Sequence, residues 1–180
     1  MQVKRIEELD RISVDEFRDA EKIPLIVVLD NVRSLNNIGS VFRTSDAFRV
    51  EAIYLCGITA TPPHADIHKT ALGAECSVRW AYFEKTEDAI RKLHDDHYTV
   101  YALEQAKGSV MLDSMQLEPR RRYALVLGNE VKGVSQSVVN VCDACVEIPQ
   151  HGTKHSLNVS IAGGIAIWSF FLQMKGSAEL

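Results

Sequence analysis

Apolar residues in this chain fall into short unbroken runs separated by segments of helical period. Residues 25–30 (L-I-V-V-L-D), 52–56 (A-I-Y-L-C) and 123–127 (Y-A-L-V-L) are runs of strand length without alternation. Such runs fit strands buried on both faces, as in a parallel sheet. Residues 78–83, 98–103 and 144–148 read as further strands. Between them, residues 37–48 place Ile38, Val41, Phe42 and Ser45 on one side of a helix. Helices are also predicted over 67–72 (ended by Gly73), 86–96, 135–140 and from about Leu157 onward. Ser13 followed by Glu16 has the spacing of a capping box for a short helix at 14–20. Strands alternating with helices predict an α/β fold, a mainly parallel sheet with helices on both faces.

Composition narrows this picture. A chain of 180 residues, 46% hydrophobic, is long enough for one domain whose core needs neither disulfides nor a structural metal. Lys and Arg number 20 against 24 Asp and Glu, so the chain is not a generally basic nucleic-acid binder. Any RNA contact must come from a local basic patch. Cysteines stand at 56, 76, 142 and 145; Cys142 and Cys145 form a C-x-x-C with no second pair and no histidine pair at ligand spacing. They are read as small packing residues in a reducing cytoplasm, with no metal expected. The amino terminus lacks a signal-type apolar core, and the tract 161–172 is too short to span a bilayer. No membrane partner is expected. Gly163-Gly164 within that tract costs helix stability, which predicts close packing against another helix, in the chain or in a second subunit.

Three glycine-containing polar segments follow apolar runs, where ligands sit in open α/β sheets. In 30–39, Asn36 and Asn37 are candidate caps for a helix that carries Arg43, and a helix amino end attracts anions. Arg43 lies six residues beyond Asn37, and both are expected to face one pocket. In 128–133, Gly128 permits close backbone approach and Glu130 supplies an acceptor. In 149–158, Ser156 is a candidate cap for the last helix, with Asn158 two positions on. Each segment alone is equally well an ordinary turn.

Together they resemble the SpoU (TrmH-like) family of SPOUT methyltransferases. The first is similar to N-x-G-x-x-x-R-T-x-D-A-F, met by Asn37, Gly39, Arg43, Thr44, Asp46, Ala47 and Phe48. The second resembles L-G-N-E-x-x-G, met by Leu127 to Glu130 and Gly133. The third resembles I-P-x-x-G-x-x-x-S-L-N-V-S-x-A, met by Ile148, Pro149, Gly152, Ser156 to Ser160 and Ala162. Residues 69–75 (K-T-A-L-G-A-E) also look familiar from this group. The resemblance runs from about residue 25 to 174, with its motifs in order. Val131, Arg49 and Gln150 depart from common family residues without removing a catalytic position.

The resemblance implies transfer of a methyl group from S-adenosylmethionine (AdoMet) to a ribose 2′-hydroxyl of tRNA or rRNA. The alternative is a noncatalytic RNA-binding relative, against which the retained motif residues argue. It implies a carboxyl-terminal trefoil knot over about 123–174, following a 1–23 extension, in a single domain. It further implies a homodimer whose active site is completed across subunits. AdoMet would be held by backbone around Leu103, Gly128, Ile148 and Leu157, and the catalytic group would be Asn37, Arg43, Glu130, Ser156 and Asn158. A guanidinium is a poor base, so Arg43 is either a base assisted by a substrate phosphate or a clamp on that phosphate. Without a separate amino-terminal RNA-binding domain, Arg33, Arg49, Lys69, Lys132 and Lys154 are the expected RNA contacts. Arg120, Arg121 and Arg122 extend that patch only if the fold brings them near.

Overall fold

The computed structural model describes residues 1–175. Its strands are β1 (Ile23–Asp30), β2 (Val50–Cys56), β3 (Trp80–Phe83), β4 (Tyr98–Leu103), β5 (Val110–Met111), β6 (Arg122–Leu127) and β7 (Ala144–Glu147). Its helices are α1 (Val14–Asp19), α2 (Leu35–Ala47), α3 (Ala65–Ala71), α4 (Ala74–Ser77), α5 (Thr86–Asp95), α6 (Gln136–Val139) and α7 (Val159–Met174). The strands form one sheet in the order β3-β2-β1-β6-β4-β7-β5, and every pairing is parallel.

The unbroken apolar run of β1 is explained by two cores. Leu25, Val27 and Leu29 pack with Ile38 and Phe42 of α2 and with Ile167 and Phe170 of α7. Ile26 and Val28 point the other way, toward Ile90 and Leu93 of α5 and Val138 of α6. Helices therefore cover both faces, as the pattern predicts. Each such side chain contributes roughly 1.5–3 kcal/mol on full burial. Pro24 lies inside β1 rather than before it, and the β1–β2 register shifts between Ile23 and Ile26. A proline has no N–H for the ladder, and a strand start or irregularity is where a sheet accepts one. The Ser13–Glu16 capping box is present, and Phe17 of α1 is buried in the first core.

Several boundaries and caps differ from expectation. Helix α2 begins at Leu35 because the Ser34 hydroxyl accepts from the Asn37 N–H at 3.3 Å, so Asn36 and Asn37 sit in the first turn instead of capping it. The cap of α7 is Asn158, not Ser156: its Oδ1 accepts from the N–H groups of Ser160 (2.9 Å) and Ile161 (3.4 Å). Helix α3 starts at Ala65, where His64 caps it, and β3 starts only at Trp80. The one-turn α4 and the two-residue β5 were not expected; both are too short to carry a period, and β5 exists through its pairing with β7. Gly163 is pressed against the sheet, since a Cβ there would lie 2.7 Å from Cδ1 of Leu127 on β6. A Cβ on Gly164 would meet nothing within 4 Å. The close packing thus falls on one glycine and against a strand.

Cys142 is half-buried and Cys145 buried, both as free thiols, and burial pushes the Cys142 thiol up to about 12. That is the behaviour of packing cysteines. No helix among the described residues is long and apolar enough to cross a membrane.

Candidate active site

A cavity of about 630 Å³ opens at the carboxyl ends of β4, β6 and β7, where α/β sheets bind ligands. Leu103, Gly128, Ile148 and Leu157, the four expected cofactor contacts, all line it. So do Glu130, Ser156 and Asn158 of the expected catalytic group, together with Lys132. Leu127, Val134, Val146 and Ala162 add apolar wall, while Glu104 and Glu147 place carboxylates in the lining.

The loop after β6 folds back on itself. Asn129 and Gly133 bridge through N–H to O contacts of 3.1 and 2.8 Å. The Asn129 side chain accepts from the N–H groups of Val131 and Lys132 and donates to the Asn31 carbonyl at 2.8 Å. A Cβ at Gly128 would stand 2.2 Å from the backbone of Gly133 and Val134, so this fold-back has no room for a side chain.

Glu130 joins this loop to the first. Its carboxylate accepts from the N–H groups of Arg33 (3.0 Å) and Ser34 (2.9 Å) and from the Asn37 amide (3.0 Å). Partial burial pulls its pKa upward, but these donors outweigh burial and hold the carboxyl below its usual range. Asn37 in turn accepts from the Asn158 amide at 3.2 Å, and Asn158 caps α7. One chain of hydrogen bonds therefore ties all three loops together at the cavity.

Arg43 is not brought into that chain. It is exposed, lies outside the cavity lining, and makes no hydrogen bond or ion pair among the described residues. At about 100° per residue, seven positions return to one face and six do not, so Arg43 aligns with Asn36 rather than Asn37. It stands about 12 Å along the axis from the start of α2. The expectation that Asn37 and Arg43 face one pocket of the same chain does not hold.

The expected RNA contacts are also divided. Arg33, Lys132 and Lys154 are exposed on the three cavity loops. Lys69 lies on α3, paired with Asp66 at 2.6 Å. Arg49 stands at the amino end of β2, because the 13 residues of α2 carry the chain from the carboxyl edge of the sheet to its amino edge. Arg122 is at that edge too, opening β6 and bridging to Glu51 at 3.1 Å. Arg49 and the Arg120–Arg122 cluster are thus remote from the cavity mouth.

Two site residues were missed. Ser34 both caps α2 and donates its N–H to Glu130. Glu104, the residue after β4, accepts from the Val134 N–H at 2.9 Å and so pins the far end of the 128–134 loop. Its place directly beyond an apolar run was a usable signal.

A model of the SpoU rRNA Methylase family matches residues 24–168. The chain is 29% identical to the Bordetella pertussis 23S rRNA (guanosine-2′-O-)-methyltransferase RlmB, over 92% of this chain and 66% of that enzyme. It is 31% identical to the Aquifex aeolicus tRNA (guanosine(18)-2′-O)-methyltransferase, over 92% and 74% of the two chains. It thus spans slightly under two thirds of the rRNA enzyme's length. Among solved structures, the AdoMet-bound rRNA methyltransferase of Sinorhizobium meliloti superposes with a TM-score of 0.77 at 31% identity, covering 86% of this chain and 59% of that one. The A. aeolicus TrmH/SpoU tRNA-modifying enzyme gives 0.79 at 25% identity, covering 91% and 83%. With its motifs in order, its loops joined over one cavity and these relatives, the chain belongs to the SpoU rRNA methylase family.

Proposed function

We propose that this protein transfers a methyl group from AdoMet to a ribose 2′-hydroxyl of structured RNA, tRNA or rRNA. The observation that carries the reading is the Glu130–Asn37–Asn158 hydrogen-bond chain, which joins all three motif loops beside one cavity. The relatives' names, an rRNA and a tRNA 2′-O-methyltransferase, supply the reaction class.

The cavity suits AdoMet in size and chemistry. Its volume lies within the roughly 300–1,000 Å³ of small-molecule sites. Apolar walls suit an adenine ring, and the carboxylates of Glu104, Glu130 and Glu147 favour a cationic sulfonium. Leu103, Gly128, Ile148 and Leu157 would hold the cofactor. When bound, AdoMet supplies an already electrophilic methyl group, which leaves the protein to align a ribose hydroxyl and remove its proton. Glu130 and Asn37 fix the loops that shape this region, and Ser156 and Asn158 border it from the third loop. The segment 123–174, which supplies most of the cavity, is read as the family's knotted region within one methyltransferase domain.

Among the described residues no group accepts a hydrogen bond from Arg43, and a guanidinium is a poor base, which favours the phosphate clamp over the literal base. Its remoteness from the cavity of its own chain favours a homodimer in which it serves the partner's cavity. Helix α7 supports that arrangement: Ile161, Ile165, Trp168 and Leu172 form an exposed apolar stripe at helical spacing. Trp168 also packs on Phe48, at the end of α2, with ring centroids 5.2 Å apart. Arg33, Lys132 and Lys154 are read as phosphate contacts around the mouth, with Lys69 a further contact away from it on α3, so RNA binding weakens with salt.

The test is labelled methyl transfer to total RNA, with the modified ribose mapped. Losing the clamp, Arg43→Ala is expected to lower transfer by about 100-fold or more, while the melting temperature and AdoMet affinity stay unchanged. Full activity of R43A on a verified RNA substrate overturns the assignment.

A further inference from the structure

A second cavity, about 500 Å³, lies beside α3, α4 and the edge strand β3. Pro62, Pro63, His64, His68, Glu75 and Trp80 are among its walls, and none of these lines the first cavity. Trp80 is 38% exposed, and among the described residues no aromatic ring packs on it. The indole and the two prolines offer flat apolar surface suited to a planar ring.

The two histidines supply complementary hydrogen-bonding atoms. His64 Nδ1 accepts from the Asp66 N–H at 3.1 Å, which puts the proton of the neutral ring on Nε2, a donor. His68 Nδ1 stands 2.5 Å from a Glu75 carboxylate oxygen. A carboxylate only accepts, so this Nδ1 carries its proton, and Nε2 of the neutral ring is left as an acceptor. Glu75 also accepts from the Gly73 N–H at 3.1 Å, which fixes it in place. The ring nitrogens of two histidines beside an indole that no other aromatic ring covers match the demands of a nucleobase, with a polar edge and an apolar face.

The pocket's position fits the same occupant. Helices α3 and α4 both rest on α2, which carries Arg43. The Thr70 hydroxyl donates to the Asn36 carbonyl at 2.9 Å. The Ser77 hydroxyl donates to Asp46, one turn beyond Arg43, at 2.5 Å. Arg79, exposed and next to Trp80 in sequence, supplies a cation for a flanking phosphate, and Lys69, exposed on α3 and paired there with Asp66 at 2.6 Å, a second. We infer that this second cavity binds an unpaired nucleobase of the substrate RNA, stacked on Trp80. The inference rests on the RNA-methylating reading and adds to it a contact outside the cofactor site.

The experiment uses fluorescence anisotropy of the full chain with labelled decamers of uridylate, of adenylate and of an abasic ribose-phosphate backbone. The wild type is expected to bind the base-bearing decamers more tightly than the abasic one. Trp80→Ala should remove about tenfold or more of that preference. Trp80→Phe should largely retain it, and abasic binding and AdoMet calorimetry should match wild type in both variants. An unchanged preference in W80A, or no preference in the wild type, overturns the inference. If base preference depends on Trp80 but no cellular RNA is methylated, the pocket stands and the proposed methyl transfer falls.

Discussion

Removing the Glu130 carboxylate is the most direct test of how the loops are held. Glu130→Ala deletes three accepted hydrogen bonds of 2.9–3.0 Å at once. Hydrogen bonds to a charged group contribute about 1.5–3 kcal/mol each when well shielded. This carboxylate is half exposed and water takes over part of the role, so a total of ~2–3 kcal/mol is expected. In a domain of this size 1 kcal/mol moves the melting temperature by about 2–4 °C, which gives a fall of about 4–12 °C. Glu130→Gln can keep the oxygen that serves Ser34 and Asn37 while turning its NH2 toward the Arg33 N–H, and should lose about a third to a half as much. The carboxyl is held below its usual range, so its stabilisation is present above the unfolded value of about 4.3 and is lost as pH falls through the lower folded value. The melting-temperature gap between wild type and E130Q should therefore narrow in acid. Scanning calorimetry over pH, with AdoMet titration of each variant, measures all of this. An E130A protein that melts within about 1 °C of wild type and binds AdoMet equally refutes the reasoning. So does an E130Q protein damaged as much as E130A.

The two glycines of α7 should respond with opposite signs. Gly164→Ala meets empty space and gains up to about 1 kcal/mol of helix propensity. Gly163→Ala drives a methyl into Leu127, where overpacking of about 1–3 kcal/mol outweighs that gain. Thermal melts of the pair check the order. Ile165→Glu places a charge in the α7 stripe and, in a two-fold dimer, counts twice. Sedimentation should show a dimer becoming monomeric, with a melting temperature lowered by the lost association; an unaltered dimer would exclude this face as the interface.

The hydrophobic pattern determined a good deal. Both cores were legible in β1, because the five consecutive apolar positions Leu25 to Leu29 leave no face to give to water. The cavity lining was legible through the motif loops: Leu103, Gly128, Glu130, Ile148 and Leu157 lie at strand ends or helix starts, where local order in the sequence is local order in space. Caps differ from expectation by two or three residues, since Ser34 and Asn158 compete with near neighbours of similar chemistry and only backbone geometry chooses. What tertiary structure alone decided was which loops meet. Glu130 and Asn37 are 93 positions apart and Asn37 and Asn158 are 121 apart, and no period in the chain encodes such pairings. The same holds for the separations. Arg43 and Arg49 sit a few residues from the first motif loop, yet α2 carries them progressively away from the cavity toward the opposite edge of the sheet. Sequence proximity sets local conformation, but the axis of a helix turns each further residue into 1.5 Å of distance, and only the packed sheet fixes which way that axis points.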